Sequence, residues 1–110
     1  MQRSARQAPR TGEVPVVVEI VTFRVRRGRE EEFEKHQEER TRRLRRAGGF
    51  VALRVLRSAE GGGEYQAEVR WAGRDYRDRA IAPGGPADAA GDHLDTILEA
   101  PPIRRLYEEI

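Results

Sequence analysis

Apolar positions fall in blocks along this chain, and their spacing predicts alternating strands and helices. Val14 to Val25 holds Val16, Val17, Val18, Ile20, Val21, Phe23 and Val25, a β-branched and aromatic run that predicts a first strand. Gly28 to Ala47 predicts a helix whose apolar positions are only Phe33, Leu44 and Ala47. At about 100° per residue these cluster on one face. Gln37 and Arg40 fall in the middle of that face, and His36 at its margin. A helix that packs on a sheet normally fills such a stripe with Leu, Ile or Val. Here the polar groups must satisfy one another or line a pocket.

The ends of this helix have an ordinary explanation. Glu30, Glu31 and Glu32 lie in its first turn and Arg42, Arg43, Arg45 and Arg46 in its last, which suits the helix dipole. Gly48-Gly49 supplies a left-handed stop. Phe50 to Arg57 predicts a second strand with two mainly apolar faces: Phe50, Ala52, Arg54 and Leu56 on one, Val51, Leu53, Val55 and Arg57 on the other. Ser58 to Gly63 reads as a hairpin turn. Glu64 to Trp71 alternates Tyr65, Ala67, Val69 and Trp71 against Gln66, Glu68 and Arg70, a third strand. A short helix over Arg74 to Ile81 is broken by Ala82 to Pro86. A helix over Ala87 to Glu99 with Ala87, Ala90, Gly91, Leu94 and Leu98 inward follows, and then a last strand over Ile103 to Ile110.

This β-α-β-β-α-β order predicts an α+β fold, a ferredoxin-like split βαβ with an antiparallel sheet and helices on one face. The helices leave the other face bare. Its apolar character predicts a two-fold homodimer packing sheet on sheet, the alternative being a monomer whose arm folds over the sheet. Residues 1–13, with Arg3, Arg6 and Arg10, read as a disordered arm, and residues 14–110 as one domain.

Composition narrows the chemistry. Charged residues make up 36% of the chain, but the formal net charge is only +2. The Arg42 to Arg46 cluster is balanced by acidic neighbours, and there is no aromatic platform, so nucleic-acid binding is not expected. The absence of Cys excludes disulfides, thiolate catalysis and Cys-ligated metal. No His-x-x-x-His or comparable carboxylate spacing predicts a metal site. No apolar run reaches the roughly 20 residues of a membrane span. The N-terminus has no apolar signal core, and a cytoplasmic protein fits. Gly61-Gly62-Gly63 leads into a strand rather than a helix, so it is a turn and not a phosphate loop.

Phe23-Arg24-Val25 runs into Arg27-Gly28-Arg29-Glu30-Glu31-Glu32-Phe33; Gly48-Gly49-Phe50, the hairpin and Val69-Arg70-Trp71 follow. This succession, from Val14 to Ile110, resembles the antibiotic biosynthesis monooxygenase family of dimeric α/β barrels. The resemblance implies a ferredoxin-like sheet pairing into a dimeric barrel. It also implies a small enzyme of aromatic polyketide biosynthesis that needs no cofactor, such as a monooxygenase converting a polycyclic phenol or anthrone to a quinone. Cyclases, isomerases and members without known activity share the fold, so a cyclase or a non-catalytic binding barrel stays open. In quinone-forming members a Trp at the end of strand three lines the pocket, with an Asn four residues earlier. Trp71 matches the Trp, but Ala67 stands where the Asn would be. Haem-degrading members place a His about ten residues after the Trp, where Ile81 stands here.

The candidate site follows. Trp71 is read as a wall that stacks on a flat ligand, with Tyr65 on the same face and the small Ala67 leaving space between them. Gln37 and Arg40 supply donors, and the Arg40 fork suits a carboxylate, phenolate or enolate oxygen. His93, next to Asp92, is the first choice of general base and His36 the second. Tyr76 and residues 82–86 are candidates for a lid. Tyr107 is expected in the core or a dimer interface.

Overall fold

The computed structural model describes residues 14–89 and 92–110, so the expected arm and the inward Ala90 and Gly91 lie outside the described residues. Strand β1 (Val17–Arg24) leads into helix α1 (Glu30–Leu44), strands β2 (Phe50–Arg57) and β3 (Glu64–Trp71), helix α2 (Arg74–Ile81) and strand β4 (Ile103–Glu108). The sheet order is β2-β3-β1-β4, antiparallel throughout. This is the ferredoxin-like arrangement that the order of elements predicts.

Alternation on β1 and β3 sets the two faces of the sheet. Val17, Glu19, Val21 and Phe23 are buried on β1, opposite Trp71, Val69, Ala67 and Tyr65 of β3. Helix α1 covers this face with Phe33, Gln37, Arg40 and Leu44, its four buried residues. Their four-three-four spacing follows the 3.6-residue turn. The apolar core is consequently two clusters. Phe33 packs with Val21, Phe23, Tyr65 and Ala67, whereas Leu44 packs with Val17, Val69, Trp71 and Ala80. The helix positions between those two residues are Gln37 and Arg40, and the strand position between Val17 and Val21 is Glu19. A polar layer thus crosses the waist of the domain.

Strands β1 and β4 are shorter than the pattern predicts, and three other elements differ from it. Helix α1 stops at Leu44 rather than Ala47, and the last residues before β2 form turns that end at Gly49. Strand β2 carries a bulge: Phe50 pairs with Trp71 but Ala52 with Arg70, and Val51 is the extra residue. Strict alternation would put Phe50 beside Ala52 and Leu56, but the bulge turns it to the helix side, where its ring meets Trp71 edge-on at 5.9 Å. The expected helix over Ala87 to Glu99 is mostly absent. Among the described residues only a 3-10 turn, Leu94–Thr96, forms there, entered through His93 at φ 57°. Leu94 and Leu98 still pack against the core, and Val25 pairs with Leu98 in a single bridge.

Gly49 is a turn residue whose missing side chain is indispensable. It holds φ 79°, and a Cβ there would lie 2.1 Å from Cγ of Tyr76. Left-handed strain and a ring clash act together, so Gly49→Ala is expected to cost more than about 1 kcal/mol of stability. Urea unfolding followed by circular dichroism checks this, and an unchanged midpoint contradicts it. The same contact fixes Tyr76 against the Gly48-Gly49 turn, with the Arg79 guanidinium 5.0 Å over its ring.

Candidate functional site

The polar layer is built around α1. His36 points off its margin toward Asp92, which the chain delivers just before the 3-10 turn. His36 Nε2 lies 3.5 Å from Asp92 Oδ2, with both side chains largely buried. Arg43 approaches the other Asp92 oxygen, also at 3.5 Å. On the far side of the imidazole, Gln37 Nε2 is 3.3 Å from His36 Nδ1. A carboxylate facing Nε2 favours the tautomer with its proton there, which leaves Nδ1 as acceptor for the Gln37 amide. Burial lowers the His36 pKa below its ordinary value, and the nearby Arg43 and Arg40 charges add to this, while Asp92 opposes it. The imidazole is therefore neutral near pH 7 and able to accept a proton.

Behind Gln37 lies Arg40, only 4% exposed. Burial, then the charge of Arg104, lowers its pKa, with Glu19 and Asp92 acting the other way. Glu19 is 1% exposed and joins three elements. Arg77 of α2 donates to its Oε2 at 2.8 and 3.3 Å, and Arg104 of β4 stands 3.7 Å from its Oε1. Among the described residues, five buried side-chain atoms have no hydrogen-bond partner: His36 Nε2, Gln37 Oε1, Arg40 Nη1, Trp71 Nε1 and Asp92 Oδ2. Orphaned polar atoms are costly in a core, and their concentration here marks a place suited to a polar ligand.

Among the described residues, two of the grooves along α1 adjoin this layer. The one beside His36, Asp92 and His93 encloses about 450 Å³ and is otherwise lined mainly by charged side chains. The other, of about 620 Å³, runs between α1 and β2 over Val55, Leu56, Ala59 and Tyr65, with Gln37 in its wall. At its rim the Tyr65 hydroxyl donates to Glu34 Oε2, which also receives Arg57 at 3.0 Å. Burial, then the Glu34 carboxylate, raises the Tyr65 pKa, so its hydroxyl stays protonated.

The structure brings together some of the candidates and separates others. His36, Gln37 and Arg40 share the polar layer, and Tyr65 and Gln37 share a groove. Ala67 is buried on the sheet between Tyr65 and Val69. Trp71 lies 1% exposed in the Leu44 cluster, packed on Phe50, rather than on either groove. His93 is exposed on the rim of the charged groove, and it is His36 that faces Asp92. Tyr76 packs on the Gly48-Gly49 turn, away from both grooves. Glu68 lies on the opposite face of the sheet, with Arg54 at 2.8 Å. Glu19, Arg77 and Arg104 are not among the sequence candidates. A signal for Glu19 was present: it is the one acidic residue at an inward position among Val17, Val21 and Phe23.

A family model described as antibiotic biosynthesis monooxygenase matches residues 16–76. The chain belongs to the antibiotic biosynthesis monooxygenase family. Among solved structures, this family member is similar to SnoaB of Streptomyces nogalater, described as a cofactor-independent oxygenase. The two share 24% identity over 86% of this chain and 92% of that one, with a TM-score of 0.73. An asparagine-to-alanine variant of SnoaB gives 26% identity with the same coverage and a TM-score of 0.74. A conserved protein from Methanosarcina mazei Go1 is similar in fold at 12% identity, covering 88% of this chain and 95% of that one, with a TM-score of 0.78. No curated protein matches the chain. The family match spans β1 to the first residues of α2, and so includes His36, Gln37, Arg40, Ala67 and Trp71. Asp92 and Arg104 lie beyond it. Among the described residues, no helix is long and apolar enough to cross a membrane, and no cluster of His or carboxylates has the make-up of a metal site.

Proposed function

We propose that this chain is a cofactor-independent monooxygenase that oxidises a polycyclic phenol or anthrone to a quinone, acting as a homodimer. One observation carries the reading: Gln37 both lines a groove of aromatic size, floored by Val55 and Tyr65, and contacts the buried imidazole of His36. A flat substrate lies over Val55 and Tyr65, and its reacting end reaches the polar layer through Gln37. There it displaces the Gln37 amide from His36 Nδ1, and His36 takes the phenolic or benzylic proton. Asp92 stabilises the imidazolium, as a carboxylate behind a catalytic histidine does. The Arg40 charge favours the anion. The carbanion gives an electron to dioxygen, and the pair recombines to a peroxide. Protonated by His36, the peroxide loses water to leave the quinone, so one dioxygen is consumed and one water released per anthrone.

The homodimer is supported by the bare face of the sheet. Val18 and Ile20 of β1, Ile103 and Tyr107 of β4 and Leu56 of β2 share that face; Ile103 is 56% exposed and Tyr107 49%. A second reading, a cyclase or isomerase using the same base and donors, is favoured by Ala67. The quinone-forming pattern that the sequence resembles has Asn there.

The oxygen electrode separates the two readings. With 1,8-dihydroxyanthrone the expected result is uptake of one dioxygen per anthrone, well above a heat-denatured control. Conversion of a polyketide phenol that survives strict anaerobiosis moves the assignment to the cyclase.

A further inference from the structure

We propose that the Tyr65 hydroxyl is a catalytic donor, which binds the substrate oxygen that turns negative as His36 removes the proton. This rests on the aromatic site and the base proposed above and adds a residue at the opposite end of the groove. In an anthrone the acidic carbon and the carbonyl stand across one ring from each other. When the C–H bond breaks, its electron pair moves through that ring to the carbonyl oxygen. Charge therefore develops away from the base, and that is where a donor lowers the barrier. Gln37 leads to His36, and Glu34 holds Tyr65. These two are three residues apart on α1, about 4.5 Å along its axis, close to the span of one ring with its oxygen. Both of them and Tyr65 line the same groove.

The hydroxyl is arranged to answer a charged oxygen and to ignore a neutral one. The Tyr65 ring is fixed in the Phe33 cluster, with the two ring centroids 4.7 Å apart, so its oxygen is in place before a substrate arrives. At rest it donates to Glu34 Oε2, which also receives Arg57 at 3.0 Å. A neutral ketone is a weaker acceptor than this carboxylate and leaves the hydroxyl where it is. An enolate oxygen is more basic than a carboxylate and draws the hydroxyl over. Glu34 keeps Arg57, so its charge stays paired. No proton leaves Tyr65, whose ionisation is opposed by burial and by Glu34; the proton that moves is the one His36 takes. A bond made only as charge develops raises kcat without tightening the substrate.

Tyr65→Phe keeps the ring in its cluster and removes the oxygen alone. It is expected to lower kcat for 1,8-dihydroxyanthrone about a hundredfold while KM stays within about threefold. A second readout needs no turnover: under strict anaerobiosis, bound anthrone is titrated through the visible absorbance of its anion. Its ionisation is expected about one pH unit or more higher in Tyr65→Phe than in the unsubstituted protein. Glu34→Gln removes the charge that holds the hydroxyl back, so the neutral carbonyl of 1,8-dihydroxyanthraquinone is expected to bind about threefold or more tighter. Glu34 is half-exposed, so this variant keeps the test independent of the folding of Tyr65→Phe. Unmoved kcat and ionisation in Tyr65→Phe, or unmoved quinone affinity in Glu34→Gln, overturn the role of Tyr65 and leave the aromatic site and its base standing. An unsubstituted protein that binds neither anthrone nor the quinone overturns both.

Discussion

Replacing His36 with Gln is expected to reduce dioxygen uptake by about a hundredfold or more, the usual worth of a positioned general base. His93→Ala is expected to retain most of the activity, because His93 is exposed on the groove rim while His36 is held between Gln37 and Asp92. The reverse ranking would overturn the choice of base. The pH profile gives an independent reading. Burial lowers the His36 pKa, so the basic form persists into mild acid, and the acid limb of kcat/KM is expected below the ordinary histidine value of about 6.5. Asp92 opposes that lowering; Asp92→Asn should therefore move the limb further toward acid and reduce kcat, because the imidazolium loses its counter-charge. The same shift has a sign for stability. A histidine whose folded pKa is lowered stabilises the fold fully above about pH 6.5. That contribution is lost as the pH falls and the unfolded chain takes the proton first.

Glu19→Ala is expected to have the largest effect on stability. It leaves Arg77 and Arg104 without the buried carboxylate that joins α2 and β4 to β1. Stranding a buried ion-pair partner costs about 3 kcal/mol or more. In a domain of this size that corresponds to a fall in Tm of roughly 12 °C or more. Glu19→Leu combined with Arg77→Leu should recover much of the loss, because removing both partners leaves no stranded charge between them. Thermal unfolding of the two variants decides the matter: a Glu19→Ala loss below about 1 kcal/mol means that the charges are solvated and the layer does not hold the elements together.

Most of the fold was legible because strand alternation and the split βαβ order are local signals. Strands β2 and β3 and helix α2 have the boundaries that the pattern predicts. What failed was non-local. The bulge at Val51 rotates Phe50 by one residue, and no property of Phe-Val-Ala announces it. The segment after Pro86 has helical spacing, but its far end, at Leu98 and Glu99, is held by contacts with Val25 and Arg24 across the sheet edge. The polar interruption of α1 was visible as a misfit in its stripe, which brought Gln37, Arg40 and His36 forward. Their partners were harder to see. Asp92 reaches His36 from 56 positions further along the chain, and Arg77 and Arg104 reach Glu19 from separate elements. Trp71 shows the converse limit, since a strand-end aromatic reads the same whether it walls a groove or fills a core.

The two-part core also makes the chain its own pair of optical reporters. Trp71, the only tryptophan, belongs to the Leu44 cluster, while Tyr65 belongs to the Phe33 cluster on the other side of the polar layer. Indole emission therefore registers loosening at one end of the domain, and phenol absorbance registers the other once Tyr76 and Tyr107 are replaced by Phe. If the ends melt separately, the two signals part; if they melt together, the charged waist couples the halves as firmly as a continuous hydrocarbon interior.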